Sequence, residues 1–115
     1  MGTRMTDRDV DGISVVTLYG RIVFGEGSNA LRVKVKSLIA AGKKKIVLDM
    51  KDIDYVDSSG LGTLVAAHLT ANSQGAAMRL CNLSRKFSEV LLLTKLMAVL
   101  QVSSTEAAAV ASFAK

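Results

Sequence analysis

Residues 54–62 read Asp-Tyr-Val-Asp-Ser-Ser-Gly-Leu-Gly, and within them the adjacent hydroxyls Ser58 and Ser59 stand where an apolar helical pattern begins. One reading of this run is structural. Asp57 or Ser58 caps a helix, and the glycines permit close packing at its start. The other reading is chemical. A surface hydroxyl flanked by small residues at a helix N-terminus makes a good phosphoacceptor, because a kinase can reach it. The added phosphate would meet free backbone N–H groups and the positive end of the helix dipole.

Other chemistries lack the residues they need. His68 is the only histidine and Cys81 the only cysteine, so no histidine or cysteine cluster is available to bind zinc. A Ser-His-Asp arrangement would have to use His68, which follows Ser58 by about 15 Å of rise on the same predicted helix. His68 is expected instead to be a half-buried packing residue beside the apolar stripe. Gly60-Leu61-Gly62 lacks the third glycine of a dinucleotide fingerprint, and also the length and lysine of a phosphate-binding loop. Asp49, Asp52, Asp54 and Asp57 suggest a magnesium cluster, since hard cations take carboxylates, but fit better as solvated residues at strand and loop ends. No catalytic residue, metal site or cofactor is therefore expected, and the chain is not expected to be an enzyme.

The composition bounds the fold that must hold these residues. Half of the 115 residues are hydrophobic, 22% are charged and only 4% are aromatic, which suits one domain over residues 1–115 with an aliphatic core. No segment approaches the roughly 18–20 apolar residues of a membrane span. The N-terminus carries Arg4, Asp7, Arg8, Asp9 and Asp11, unlike a secretory signal, so a cytoplasmic location is expected. The lone Cys81 lies in an apolar run and reads as a small buried hydrophobe in a reducing compartment. The formal charge of +5 raises nucleic acid or an acidic membrane surface as partners. The distribution argues against both. Lys43-Lys44-Lys45 is short and lies between apolar segments, while Arg32, Lys34 and Lys36 alternate with Leu31, Val33 and Val35 and offer no aromatic platform. No direct DNA binding is expected.

The elements follow from periodicity and turn chemistry. Asp11-Gly12 between strand-like runs predicts a hairpin of 4–10 with 13–19, breaking at Gly20. Ser28 or Asn29 is expected to cap a helix with Leu31, Val35, Leu38 and Ile39 on one face, stopping at Gly42. The apolar run 46–48 predicts a strand covered on both faces. A second helix opens at Asp57-Ser58, presents Leu61, Leu64, Val65 and Leu69, and ends near Gly75. A fourth strand over 78–81 precedes a helix capped by Ser84 that carries Phe87, Val90, Leu91 and Thr94. A short strand over 99–102 is followed by a capping box from Ser103 to Glu106 and a last helix over 107–113. The order β-β-α-β-α-β-α-β-α implies an α/β domain with a mixed sheet of four to five strands, an N-terminal hairpin and about four helices.

In this element order, Asp57-Ser58-Ser59-Gly60-Leu61-Gly62 after the strand 46–48 resembles the phosphorylation-site motif of the STAS-domain anti-sigma factor antagonist family. The resemblance spans nearly the whole chain. Leu18-Tyr19-Gly20-Arg21 looks like that family's early Leu-x-Gly segment. Residues 78–83 with Ser84 are similar to its fourth strand and third-helix start, and Thr94-Lys95-Leu96 to its late Thr-Gly-Leu turn. The resemblance implies a partner switch. The unmodified antagonist binds an anti-sigma factor that is also a serine kinase, phosphorylation at Ser58 releases it, and a metal-dependent serine phosphatase resets it. ATP and magnesium then belong to the kinase. The implied partner-binding residues are Asp57, Ser58, Ser59, Gly60, Leu61 and Gly62, with Arg21 and Phe24 in a loop that departs from the family's acidic residue and Leu-Asp. Lys95 stands where that family has glycine. The alternative is a STAS scaffold that never cycles phosphate, as an accessory subunit of a signalling or lipid-transport assembly.

Overall fold

A computed structural model of the chain describes residues 4–113. Asp11 and Gly12 both take positive φ, at 54° and 82°, as a type I′ turn requires. The Asp9 carboxylate braces the turn by accepting the Gly12 N–H at 2.9 Å. The strands β1 (Arg4–Val10) and β2 (Ile13–Ile22) therefore pair antiparallel, from Val10 opposite Ile13 to Arg4 opposite Tyr19. Gly20 does not end β2. Its φ of 99° lies beside one of two register shifts against the neighbouring strand, and the chain passes through that irregularity to Ile22.

The remaining elements are α1 (Glu26–Ala40), β3 (Lys45–Val56), α2 (Ser58–Ser73), β4 (Ala77–Cys81), α3 (Arg85–Leu93), α4 (Met97–Leu100), β5 (Val102–Ser103) and α5 (Glu106–Ala111). The sheet runs in the order β1-β2-β3-β4-β5, parallel from β2 onward, so the hairpin supplies the antiparallel edge. Alternation along β3 builds two cores. Ile46, Leu48 and Met50 face Leu31, Val35 and Leu38 of α1 and Leu64, Ala67 and Ala71 of α2. Val47 faces the other way, joining Ile13, Val15 and Cys81 beneath Ala109 of α5. Residues 46–48 are thus buried on both faces, as their uninterrupted apolar run implies.

Several local expectations give way to tertiary packing. The N-cap of α1 is Gly25, with φ 94° and no side-chain cap; Ser28 lies inside the helix, where its hydroxyl donates to the Val23 carbonyl at 3.0 Å. Strand β3 extends well past Leu48, and Asp49 is buried rather than solvated. Its carboxylate accepts from Asn82 Nδ2 at 3.0 Å and from the Lys51 N–H at 3.1 Å, which satisfies a polar group inside the sheet. Helix α2 buries Gly60, Leu64, Ala67, His68 and Ala71, while Leu69 is 57% exposed. The small residues at these spacings let α2 lie close to the sheet, which rotates Leu69 outward. The last strand, expected over 99–102, is shifted to Val102–Ser103, and Met97–Leu100 form a helical turn before it; so short an apolar run carries no decisive period. The last helix is capped by Thr105, whose hydroxyl accepts from the Ala108 N–H at 3.0 Å, in place of Ser103. Helices number five among the described residues, one more than expected.

Three helices end in the same motif. After α1, Gly42 and Lys43 donate to the carbonyls of Ile39 and Leu38; after α2, Gly75 and Ala76 donate to Asn72 and Ala71. After α3, Lys95 and Leu96 donate to Leu92 and Leu91 in the same pattern. The motif needs a left-handed residue at its centre, and the values are 85° at Gly42, 78° at Gly75 and 63° at Lys95. Only the third position carries a β-carbon against the left-handed geometry. Lys95→Gly is therefore expected to raise stability by about 0.5–1 kcal/mol in urea unfolding, since relief of this strain outweighs the added freedom of the unfolded chain. A loss of stability would show that the Lys95 side chain contributes more than its backbone costs.

Candidate functional site

The parallel strands β2 and β3 end side by side, with Ile22 in register with Val56, and the chain enters α2 immediately afterwards. The carbonyl of Ile22 accepts the Asp57 N–H at 3.2 Å. Gly60 then crosses the same carbonyl so closely that a β-carbon on it would stand 2.1 Å from the Ile22 oxygen. No side chain can occupy that space without moving backbone. Gly62, by contrast, has open space around it.

Asp57 is the N-cap of α2. One carboxylate oxygen accepts the Gly60 N–H at 2.8 Å, and the other accepts the Phe24 N–H at 3.1 Å. A single side chain thus caps α2 and ties down the loop between β2 and α1. These two backbone N–H groups, Gly60 first, hold the Asp57 carboxyl below the usual carboxylate range, because they stabilise its charged form. With Asp57 as the cap, the hydroxyl of Ser58 is left over. Ser58 is exposed at the first helical position and makes no side-chain hydrogen bond to another described residue. Ser59 is half-buried, and its carbonyl accepts from the Thr63 hydroxyl at 3.0 Å.

The residues singled out from the sequence converge here. Arg21 and Phe24 lie at the end of β2 and in the loop that follows, beside the start of α2, and Phe24 is 82% exposed with only its backbone anchored. Leu61 is half-buried at the edge of the main core. The sequence pattern does not reveal Tyr55, which is half-exposed beside Arg21 in register, nor the shallow apolar groove between β3 and α3 that it borders. That groove is lined by Met50, Ile53, Val56, Phe87 and Val90, which come from segments about thirty residues apart in sequence.

Residues with other chemical potential stay apart from this site. His68 is buried within α2; Asn72 Nδ2 lies 3.2 Å from its Nε2, and its Nδ1 has no partner among the described residues. Cys81 is buried under α5, and desolvation pushes its thiol up to about 12, far from a reactive thiolate. No three His, Cys, Asp or Glu side chains converge among the described residues. No helix there is long and apolar enough to cross a membrane.

The STAS domain family model matches residues 4–109. A Bordetella bronchiseptica protein that carries the name of an anti-sigma factor antagonist, BtrV, is 24% identical over 110 residues, covering 96% of this chain and 94% of its own length. The anti-sigma F factor antagonist of Paenibacillus polymyxa is 25% identical over 96 residues, or 83% of this chain and 81% of that protein. Among solved structures, one named as an anti-sigma factor antagonist of Thermotoga maritima superposes with a TM-score of 0.88 at 22% identity, over 96% of this chain and 95% of that one. The Bacillus protein SpoIIAA in its phosphorylated form gives 0.72 at 20% identity, over 96% and 99%. These structural likenesses establish a shared fold.

Two tests follow from the geometry at the start of α2. Gly60→Ala should lower stability by about 3 kcal/mol, because the new methyl meets fixed backbone. A loss under about 0.5 kcal/mol in denaturant melts would show that α2 can shift off β2 at little cost. The Asp57 carboxyl should titrate below the ordinary aspartate value by NMR. Its folded value lies under its unfolded one, so its contribution is complete above the unfolded value and disappears as pH falls through the folded value. Asp57→Asn keeps a cap and should remove this part of the acid sensitivity as pH falls below the ordinary carboxylate range. An unchanged slope would mean that Asp57 is not a charged cap.

Proposed function

The chain belongs to the STAS domain family, and from that premise we propose that it is an anti-sigma factor antagonist switched by phosphorylation of Ser58. In this reading the unmodified protein binds an anti-sigma factor with serine kinase activity, in the cytoplasm, and so frees the sigma factor. Transfer of phosphate to Ser58 ends the complex, and a metal-dependent serine phosphatase restores the hydroxyl. The chain contributes no catalysis beyond the nucleophilic oxygen of Ser58, with ATP and magnesium supplied by the kinase.

One observation carries the reading: Asp57, and not Ser58, caps α2. A capping serine would spend its hydroxyl on the helix, whereas this one is exposed and unengaged. The names of the sequence relatives support the same function. Phosphorylation would add about −1.5 to −2 charges and three acceptor oxygens at the first turn of a 16-residue helix. The helix dipole compensates part of that charge within the fold. A partner seated over Ser58 has no such compensation and must bury a dianion beside the Asp57 carboxylate. Phe24, Arg21 and Tyr55 are exposed around this point and form the surface that a partner would cover.

Calorimetry with the cognate kinase-type anti-sigma factor tests the switch. Ser58→Ala should bind irrespective of ATP. Ser58→Asp should remain folded and bind at least about a hundredfold more weakly, the equivalent of about 2.7 kcal/mol. Ser59→Ala, altering a half-buried neighbour, should keep most of the switching. Equal affinity of Ser58→Ala and the phosphorylated protein would overturn the mechanism and leave a non-cycling scaffold.

A further inference from the structure

The outer surface of α1 and α2 gathers a positive charge that the primary sequence disperses. Residues 27–48 hold six lysines and arginines and no acidic residue, and residues 58–78 hold no Asp, Glu, Lys or Arg. Helix geometry sorts the first set by direction. Leu31, Val35 and Leu38 turn inward, and Lys34 turns to β1, where it donates to Asp7 at 2.7 Å. Arg32 and Lys36, four residues apart, remain on the exposed side. Arg32 donates to the neutral side chain of Asn29, so its charge is not cancelled. The turn at Gly42 then carries Lys43 and Lys44 toward the end of α2. There the Lys44 carbonyl accepts the Ala77 N–H at 2.8 Å, and its ammonium stands 3.9 Å from where a side chain on Gly75 would begin. Lys43 and Lys44 are exposed, and none of the four outer cations, Arg32, Lys36, Lys43 and Lys44, is paired with a carboxylate among the described residues; Lys45, also exposed, shares the strand parity of Val47 and belongs to the opposite face of the sheet.

We propose that this surface docks on an anionic phospholipid bilayer. Three of the four cations are lysines, which act as mobile point charges rather than as the rigid forks that read individual phosphates or carboxylates. No aromatic residue stands among them to stack a base. Val33 and Leu69 are 64% and 57% exposed, Ala40 and Ala66 are exposed as well, and the exposed polar side chains Asn29, Asn72 and Gln74 carry no charge. Low relief, diffuse positive charge and scattered aliphatic groups match a lipid headgroup layer, where a few basic residues near the surface add their attractions. The cations cluster toward the C-terminal ends of α1 and α2, while Ser58 opens α2 at its other end.

Co-sedimentation of the full chain with phosphatidylcholine vesicles, with and without phosphatidylglycerol, tests the proposal. Binding is expected only to the anionic vesicles and should be lost in high salt, since screening weakens exposed charge attraction. Lys36→Glu with Lys43→Glu should lower partitioning at least about tenfold. Arg85→Glu with Lys95→Glu makes the same change in net charge on α3 and its terminal turn, and should lower it by no more than about twofold. Circular dichroism checks that both variants fold. No binding to the anionic vesicles, equal binding to both kinds, or equal loss in the two variants would overturn the proposal. Tighter binding to duplex DNA than to anionic vesicles at the same salt would also overturn it, by assigning the surface to nucleic acid.

Discussion

The carbonyl of Ile22 is the junction on which the candidate site is assembled. It closes the end of β2 against β3 by accepting the Asp57 N–H, and it receives the bare α-carbon of Gly60 as α2 departs. Asp57 completes the junction from the other side, with one oxygen on α2 and one on the loop that carries Phe24. Strand, loop and helix are therefore fixed to each other by backbone groups and one carboxylate. Ser58 lies inside this clamp in sequence but outside it in space. A hydroxyl held in position by its neighbours, while bonded to none of them, suits a residue that must be offered to a second protein.

The same economy appears at the helix ends. Three terminal turns satisfy their last carbonyls through a left-handed residue, two of them just before the strands β3 and β4 and the third before the short helix α4. Glycine makes this stop without strain at Gly42 and Gly75. Lys95 makes it with strain, held there by the burial of Leu91 and Leu100 on either side. Backbone conformation at this turn is thus imposed by core packing rather than by local preference.

The two ends of the domain differ in electrostatic character. Asp52, Asp54 and Asp57 belong to the late part of β3 and the start of α2, around the serine, whereas Lys43, Lys44 and Lys45 enter the strand at its beginning. A net charge of +5 conceals this separation. One end is suited to losing a partner when negative charge is added, and the other to attraction toward a negative surface.

Much of the fold was legible in the sequence because the decisive signals were local. Asp11-Gly12 specified a hairpin through its backbone preferences, Ser84 specified a cap, and the run at 46–48 specified a strand buried on both faces. The run 57–62 marked the candidate site through residue types alone. Other features depended on contacts between distant segments. Asp49 could be buried because Asn82 arrives from the end of β4, and Leu69 faces outward because α2 rests on its glycine and alanines. Residues 97–100 are apolar throughout, and four such residues are too few to show a period, so their helical turn was not legible in the sequence. The choice of Asp57 over Ser58 as cap was left open by sequence, since both residue types cap well. Packing decided it, because the Phe24 N–H brought in by β2 needs an acceptor that a carboxylate with two oxygens can supply while still holding Gly60.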